Sequence, residues 1–179
     1  MATTEKLSAE HGSEQNPCDM EQMPKPTEQH GWLERFVGEW DAEVQMFMQP
    51  DQPPMTTSGS EVCRMVGGFW MVGDGSGSMG EMPYAHRITL GYDPGRGKYI
   101  GTWIDSMMSY MWQQEGELDD AGNTLTMRTE GPCPMSGKTL QFREVTEFKS
   151  ADHRLFTSFV QQDDGSWQPG LIVNFKRRK

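Results

Sequence analysis

Turn signals recur along the chain after Gly38 at short and regular intervals. Clusters rich in Gly, Pro, Asp, Asn and Ser occur at residues 49–54, 67–68, 80–83, 93–97, 119–123, 131–137, 150–153 and 163–166. Most segments between them are about 7 to 10 residues long, which suits a strand but is too short for the helix that connects two parallel strands. This spacing predicts an antiparallel all-β protein.

The first of these segments alternates as a strand does when only one of its faces is buried. Trp40, Ala42 and Val44 are apolar or small, and the residues between them are polar. Together with the turns, such patterns predict ten strands, at residues 40–48, 57–66, 69–79, 85–92, 98–104, 109–118, 124–131, 139–148, 154–162 and 167–176. A meander of this length removes its two unpaired edges most simply by closing into a barrel.

The region before the strands divides into a polar leader and a short helix. Residues 1–25 hold only scattered apolar side chains and lead into two prolines, so we expect a disordered leader followed by a single β-barrel domain at residues 26–179. Thr27 is predicted to cap a helix that ends at Gly38. Its predicted apolar face consists of Trp32, Leu33, Phe36 and Val37.

Charge and cysteine content limit the partners and the compartment. The formal net charge of −10 disfavours nucleic acid and anionic membranes, and the basic run 176–179 is interpreted as a solvated tail. No apolar stretch approaches the roughly 18 to 20 residues of a spanning helix, and the first residues lack the apolar core of a secretion signal. Cys18, Cys63 and Cys133 match neither a disulfide framework nor a zinc site. We expect a cytoplasmic protein with reduced thiols.

The junction between the helix and the first strand carries a resemblance. A short helix followed by Gly38-Glu39-Trp40 resembles the start of a calycin barrel, the group that includes lipocalins, fatty-acid-binding proteins and nitrobindins. The resemblance implies that the helix plugs one end of the barrel. It also implies that Trp40 packs there beneath a basic residue of the last strand, for which Arg177 and Arg178 are candidates.

Longer segments resemble a narrower family. The segments HGWLERFVGEW, GGFWMVGDGSGSM, ITLGYDPGRGKYIGTWIDSMMSYMWQQEGELDDAGNTLTM and EFKSADHRLFTSFVQQDDGSWQ are similar to the bacterial family known as domain of unknown function 1579, across residues 23–179. This resemblance implies the barrel and brings no established activity.

Aromatic and methionine side chains are the candidate ligand contacts. Aromatic residues give a pocket apolar walls with a polar tip, and methionine adapts to an irregular apolar guest. Packing in a filled core is the alternative role for these residues. The predicted contacts are Trp70, Trp103, Met107, Met108, Tyr110, Met111 and Trp112.

Histidines and glycines give no cofactor site. His11, His30, His86 and His153 are too scattered for a metal, and we expect no metal or other cofactor. A strand histidine binds haem iron in nitrobindin-like barrels, but His86 shows no supporting partner and His153 lies in a turn signal. The segment 73–80 has a glycine at nearly every second position but lacks the helix and Lys-Ser/Thr of a phosphate loop. We interpret it as a strand that another group approaches closely.

The acidic residues of the later strands are candidates for acid–base chemistry. Glu115, Glu117, Glu130, Glu144 and Glu147 lie near Arg128 and Arg143 in sequence. Residues 142–147 give no clean inner face, and cross-strand ion pairs on the outer wall are the interpretation we adopt. No nucleophile elbow is present.

These observations favour a non-catalytic barrel that binds a small apolar or amphipathic molecule. One alternative is an enzyme that uses interior Arg and Glu side chains, which requires two titratable groups to converge in one cleft. The other is a structural or self-associating module that forms a homo-oligomer.

Overall fold

The fold is a closed antiparallel barrel of ten strands. The computed structural model describes residues 23–48, 52–133 and 137–179. Each strand pairs with its neighbours in sequence, and the first strand pairs with the last. The strands are β1 (Gly38–Met46), β2 (Met55–Val66), β3 (Trp70–Met79), β4 (Met82–Asp93), β5 (Lys98–Asp105), β6 (Trp112–Leu118), β7 (Thr124–Pro132), β8 (Thr139–Ser150), β9 (His153–Gln161) and β10 (Trp167–Arg177). The all-β class, the meander and its closure are confirmed.

The strand boundaries follow the predicted ones closely, and the largest differences, of three residues each, are the starts of β4, at Met82 instead of residue 85, and of β6. The sequence predicted a start at residue 109, but the strand begins at Trp112. The preceding loop is held by Asp105, whose Oδ1 accepts hydrogen bonds from the backbone N–H groups of Met107 at 2.7 Å and Met108 at 3.1 Å. A carboxylate that binds the backbone just beyond its own position favours a turn over a continued strand.

The predicted helix is confirmed and is shorter than its apolar pattern suggested. Helix α1 (Glu28–Trp32) continues as one 3₁₀ turn, Leu33–Phe36. Thr27 is the N-cap, and its reciprocal partner is His30, whose Nδ1 accepts from the Thr27 backbone N–H at 3.0 Å. Leu33 and Phe36 are buried, whereas Val37, which was predicted on the same face, is exposed because the helix has already ended. The expected disordered leader lies almost entirely outside the described residues.

The helix closes one end of the barrel over Trp40. Trp40 is fully buried, and its indole N–H donates to the Phe36 carbonyl at 2.7 Å. The guanidinium of Arg177 lies 4.1 Å from the centre of the Trp40 ring and donates to the carbonyls of Val37 and Arg35. Arg177 is therefore the basic residue over the tryptophan, while Arg178 pairs with acids on the outer wall. We call this end the plug.

Candidate functional site

The interior of the barrel contains a cavity of about 160 Å³. Apolar side chains on β1, β4 and β10 form part of its lining, among them Ala42, Val44, Ile88, Leu90, Leu171 and Val173. Phe36 and Phe175 border it on the side of the plug. The cavity therefore begins where the packed plug ends.

Glycines in β2 and β3 leave room for the cavity. Gly59 and Gly77 are register partners, and both line the cavity. A Cβ at Gly77 would lie 2.9 Å from the Ser58 carbonyl oxygen, so the neighbouring backbone leaves no room for a side chain there. Two facing positions without side chains leave one wall of the barrel bare, and the space beside it is not filled.

A buried polar cluster lies between the cavity and the plug. Its centre is Glu61, which accepts hydrogen bonds from the Arg154 guanidinium, from the Cys63 thiol at 3.0 Å and from His86 Nε2 at 3.1 Å. Burial alone would raise the pKa of Glu61, but the charge of Arg154 and the hydrogen bonds from His86 and Cys63 outweigh it and lower the pKa to about 2. Glu61 is therefore an ionised carboxylate inside the barrel.

Arg154 joins this cluster to the plug. Its guanidinium lies 3.8 Å from the centre of the Phe175 ring, 4.8 Å from that of Trp40 and 5.2 Å from that of Phe36. Aromatic faces attract a cation, and the attraction is stronger away from water. The side chain of Arg154 is only 5% exposed, so the ion pair with Glu61 is withdrawn from solvent.

His86 is one of two cluster members, with Arg154, that have a buried nitrogen without a partner among the described residues. Its ring stacks on Trp103, with centroids 4.0 Å apart and planes 17° from parallel, and it lies against Gly75, where a Cβ would overlap the imidazole. This confirms the close approach predicted from the glycine spacing. A carboxylate only accepts hydrogen bonds, so the Nε2 that faces Glu61 carries the proton. The buried Nδ1 has no hydrogen-bond partner in the described part of the chain.

Glu144 is a second acid that lines the cavity. Its Oε1 accepts from the Ser158 hydroxyl at 2.9 Å, and its buried Oε2 has no partner among the described residues. Burial raises the pKa of Glu144 to about 7, and the Ser158 hydrogen bond opposes that shift only in part. The expected place for Glu144 on the outer wall is wrong, because Glu144 and Thr146 face inward on β8.

The other four acids do lie on the outer wall. Ion pairs join Arg96 to Glu115, Lys98 to Glu117 and Lys149 to Glu147, and Glu130 accepts from Gln141. These exposed pairs contribute little stability individually.

The structure separates the seven predicted ligand contacts. Trp103 lines the cavity. Trp112 packs at the end of the barrel opposite the plug, which we call the open end, between Tyr110 and Phe142, with ring centroids 5.1 Å away in each case, and against Gly131. Trp70 is exposed on the outer wall. The other four predicted contacts lie in the loop between β5 and β6 and are exposed or partly exposed: Met107, Met108, Tyr110 and Met111.

Sequence reasoning missed the polar cluster itself. Glu61 and Arg154 are 93 residues apart in sequence, and no local pattern pairs them. The sequence did contain one signal, which is the alternation of inward-facing and outward-facing positions along a strand. Glu61 shares its face of β2 with Gly59 and Cys63, and Arg154 shares its face of β9 with Phe156. A charged residue on the apolar face of a strand indicates a buried partner.

Other kinds of site find little support. Among residues 23–48, 52–133 and 137–179, no group of three His, Cys, Asp or Glu side chains is arranged to hold a metal ion. His153 Nε2 lies 2.6 Å from Asn174 Oδ1 and away from the cavity. None of the helices in this part of the chain has the length and apolarity needed to cross a membrane.

Two solved structures share this architecture. Rv2717c from M. tuberculosis aligns over 87% of this chain and 100% of its own, with 12% identity and a TM-score of 0.61. The S-type phycobiliprotein lyase CPES from Guillardia theta aligns over 87% and 99%, with 13% identity and a TM-score of 0.52. At these identities the likeness concerns the fold alone.

The family comparison agrees with the segments that carried the resemblance. No curated protein matches the sequence. The family described as protein of unknown function (DUF1579) matches residues 25–177, which include the helix and all ten strands. The chain belongs to the DUF1579 family.

Proposed function

We propose that the protein is a non-catalytic barrel that binds a small apolar or amphipathic molecule in its interior cavity. The observation that carries the proposal is a mostly apolar cavity into which a few buried polar groups, Glu61, His86 and Glu144, are built. Ligand sites commonly combine apolar walls with a small number of fixed polar groups.

The size of the cavity supports this function on energetic grounds. Protein interiors are normally packed as densely as organic crystals. A cavity of about 160 Å³ lowers stability because the side chains that line it lose packing contacts across it. A ligand that fills the space offsets this cost, whereas a purely structural barrel gains nothing from it.

The open end supplies the entrance. Met46 and Met79 line the cavity, and Met55 and Met82 are their exposed register partners on the adjacent strands. The loop at 106–111 adds the predicted contacts Met107, Met108, Tyr110 and Met111 at the end of the barrel where β5 ends and β6 begins. Methionine side chains are flexible and apolar, so they can move aside for an entering molecule and repack behind it. Trp112 forms one side of this entrance.

The working compartment in this proposal is the cytoplasm. No disulfide joins Cys63 to Cys133 in the described residues, and Cys63 instead donates to Glu61. Burial, with the adjacent Glu61 charge, raises the pKa of the Cys63 thiol far above its usual range, so it stays protonated. A stable thiol of this kind suits a reducing environment.

Binding of p-xylene, followed by solution NMR, tests the proposal. Wild-type protein should bind it, and Val44→Phe should weaken binding at least about tenfold because the new ring occupies the cavity. The matched control is Val62→Phe, which places the same ring at an exposed valine on the neighbouring strand. Equal affinity in wild type and Val44→Phe, or no binding by wild type, would contradict the proposal. Native mass spectrometry of protein purified from its own host would then identify the ligand.

A second candidate is an enzyme, because titratable groups do converge in the cavity. Glu61 fixes His86 with Nε2 protonated and leaves Nδ1 as an unpartnered base. The two functions differ in the fate of the bound compound. A binding protein should release the compound recovered from its host unchanged after prolonged incubation, and chemical conversion of that compound would favour the enzyme.

A further inference from the structure

The charged groups of the cavity already neutralise one another. Arg154 is paired with Glu61 and lies against the aromatic rings of the plug, while its buried Nε has no hydrogen-bond partner among the described residues. A ligand carboxylate would therefore meet no uncompensated cation among the described cavity residues. Glu144 has no cationic partner among the described residues, and burial favours its neutral form at and below about pH 7. Bringing a charged ligand into this interior would cost desolvation without a counter-charge.

Three residues that line the cavity each have a buried polar atom without a partner among the described residues: His86 Nδ1, Glu144 Oε2 and Arg154 Nε. In the tautomer with its proton on the Nε2 that faces Glu61, His86 Nδ1 is an acceptor, and no described residue donates to it. Trp103 stacks on the ring, and its own indole N–H is directed to Asp105 Oδ2 at 3.3 Å. A buried polar atom left without a partner is costly, so a molecule that brings the missing donor is favoured over one that does not.

The volume limits the size of that molecule. An engineered protein cavity of about 150 Å³ with apolar walls binds benzene. The cavity of this barrel, at about 160 Å³, therefore accommodates a ligand of roughly one aromatic ring or a short branched chain before its walls must move.

From these three observations we propose that the ligand is an uncharged molecule of about one ring that carries a hydrogen-bond donor such as a hydroxyl group, and that this donor binds His86 Nδ1. The inference rests on the proposed binding function and specifies the class of ligand. It also assigns to Glu61 the role of positioning His86, because the carboxylate fixes which ring nitrogen is free.

The test compares p-cresol with p-xylene, two molecules of the same shape that differ by a hydroxyl in place of a methyl. In a cavity without an acceptor p-xylene binds more tightly, since the hydroxyl of p-cresol loses its hydrogen bonds to water. We expect the affinity for p-cresol relative to p-xylene to fall about tenfold in His86→Phe, which keeps an aromatic ring against Trp103 but removes the acceptor. His153→Phe is the matched control and should leave the ratio unchanged.

The possible results distinguish a failure of this inference from a failure of the proposed binding function. If neither compound binds wild-type protein, the binding function itself fails. If both bind and the ratio is the same in wild type and His86→Phe, the binding function stands and the role of His86 is overturned. Tighter binding of p-toluate or 4-methylbenzylammonium than of p-cresol would overturn the requirement for an uncharged ligand.

A measurement on the unmutated protein covers the case in which His86→Phe does not fold. The ¹⁵N signal of His86 Nδ1 reports whether that nitrogen accepts a hydrogen bond. Saturating p-cresol should move this signal in the direction expected for a hydrogen-bonded acceptor, and p-xylene should not. An identical response to both compounds would refute the contact.

Discussion

The two ends of this barrel are formed by the same strands but differ in how completely their side chains are buried. At the plug, Trp40 is fully buried, bonded through its indole N–H and covered by Arg177. At the open end, Trp112 is only partly buried and borders a loop with exposed methionines. The plug is therefore closely packed, while the opposite end leads into the cavity through Met46 and Met79.

The buried polar cluster forms the boundary between these regions. Arg154 contacts plug aromatics on one side and Glu61 on the other, and Glu61 holds His86 beside the cavity. The stability of the plug and the shape of the site are thus connected through one ion pair. The predictions below test whether the two ends differ as described and whether this pair lies between them.

Breaking the ion pair from one side should have the largest effect. Arg154→Met leaves the Glu61 carboxylate buried without its cation, and we expect a loss of about 3 to 5 kcal/mol in the free energy of unfolding. The double variant Glu61→Met with Arg154→Met removes both charges and should recover most of that loss. Urea denaturation measures both. A double variant as unstable as the single one would show that the cluster stabilises by packing rather than by charge pairing.

The tryptophan pair compares the two ends directly. Trp40→Ala removes a fully buried ring and should cost about 3 to 5 kcal/mol, as large aromatic truncations in cores do. Trp112→Ala removes a partly exposed ring and should cost clearly less, while changing the uptake of p-xylene. Thermal unfolding and NMR titration measure the two effects. The reverse ranking would place the packed end of the barrel opposite the helix.

Acid should weaken the cluster in a defined pH range. The folded-state pKa of Glu61, about 2, lies below its ordinary value of 4.5, so its stabilising contribution is present above pH 4.5 and is lost as pH falls toward 2. The part due to Glu61 is about 3 kcal/mol. Urea denaturation between pH 6 and pH 3 follows it, and the double variant described above should show a correspondingly smaller loss. Equal losses in the two proteins would argue against a low pKa.

The fold could be predicted from the sequence because its signals are local. Turn residues bound every strand, and alternation within Trp40–Met46 shows which face is buried. Residues 106–111 misled the prediction because Asp105 folds the backbone into a turn through a side-chain contact.

The site could be predicted only in part, since its members come from distant strands. Trp103 was found because a large aromatic residue on a central strand is conspicuous. Glu61, His86 and Arg154 come from β2, β4 and β9, and closure of the barrel brings them together. On β8 the inner face mixes Phe142, Glu144 and Thr146, so alternation alone could not show that Glu144 is inside.

That inward-facing Glu144 gives the smallest and most specific prediction. Its folded-state pKa of about 7 lies above the ordinary value of 4.5. The contribution of Glu144 to the stability of the wild type is therefore most favourable below pH 4.5 and falls as pH rises through 7. Glu144→Gln keeps the shape but cannot ionise. It should match wild type at pH 4 and be more stable by about 1 to 3 kcal/mol at pH 8.

The pH dependence, rather than the stability at a single pH, distinguishes this cause from improved packing. A packing gain from glutamine would appear equally at pH 4 and pH 8, whereas relief of a buried charge grows between them. Glu147→Gln, three residues along β8 on the outer wall, is the matched control and should show no such growth, because the Glu147 side chain is exposed to solvent and paired with Lys149. If the two variants have the same pH profile, water or a cation reaches Glu144. The cavity would then contain more water than its apolar walls imply. Its preference for an uncharged ligand would be weaker, because water in the cavity lowers the cost of bringing in a charge.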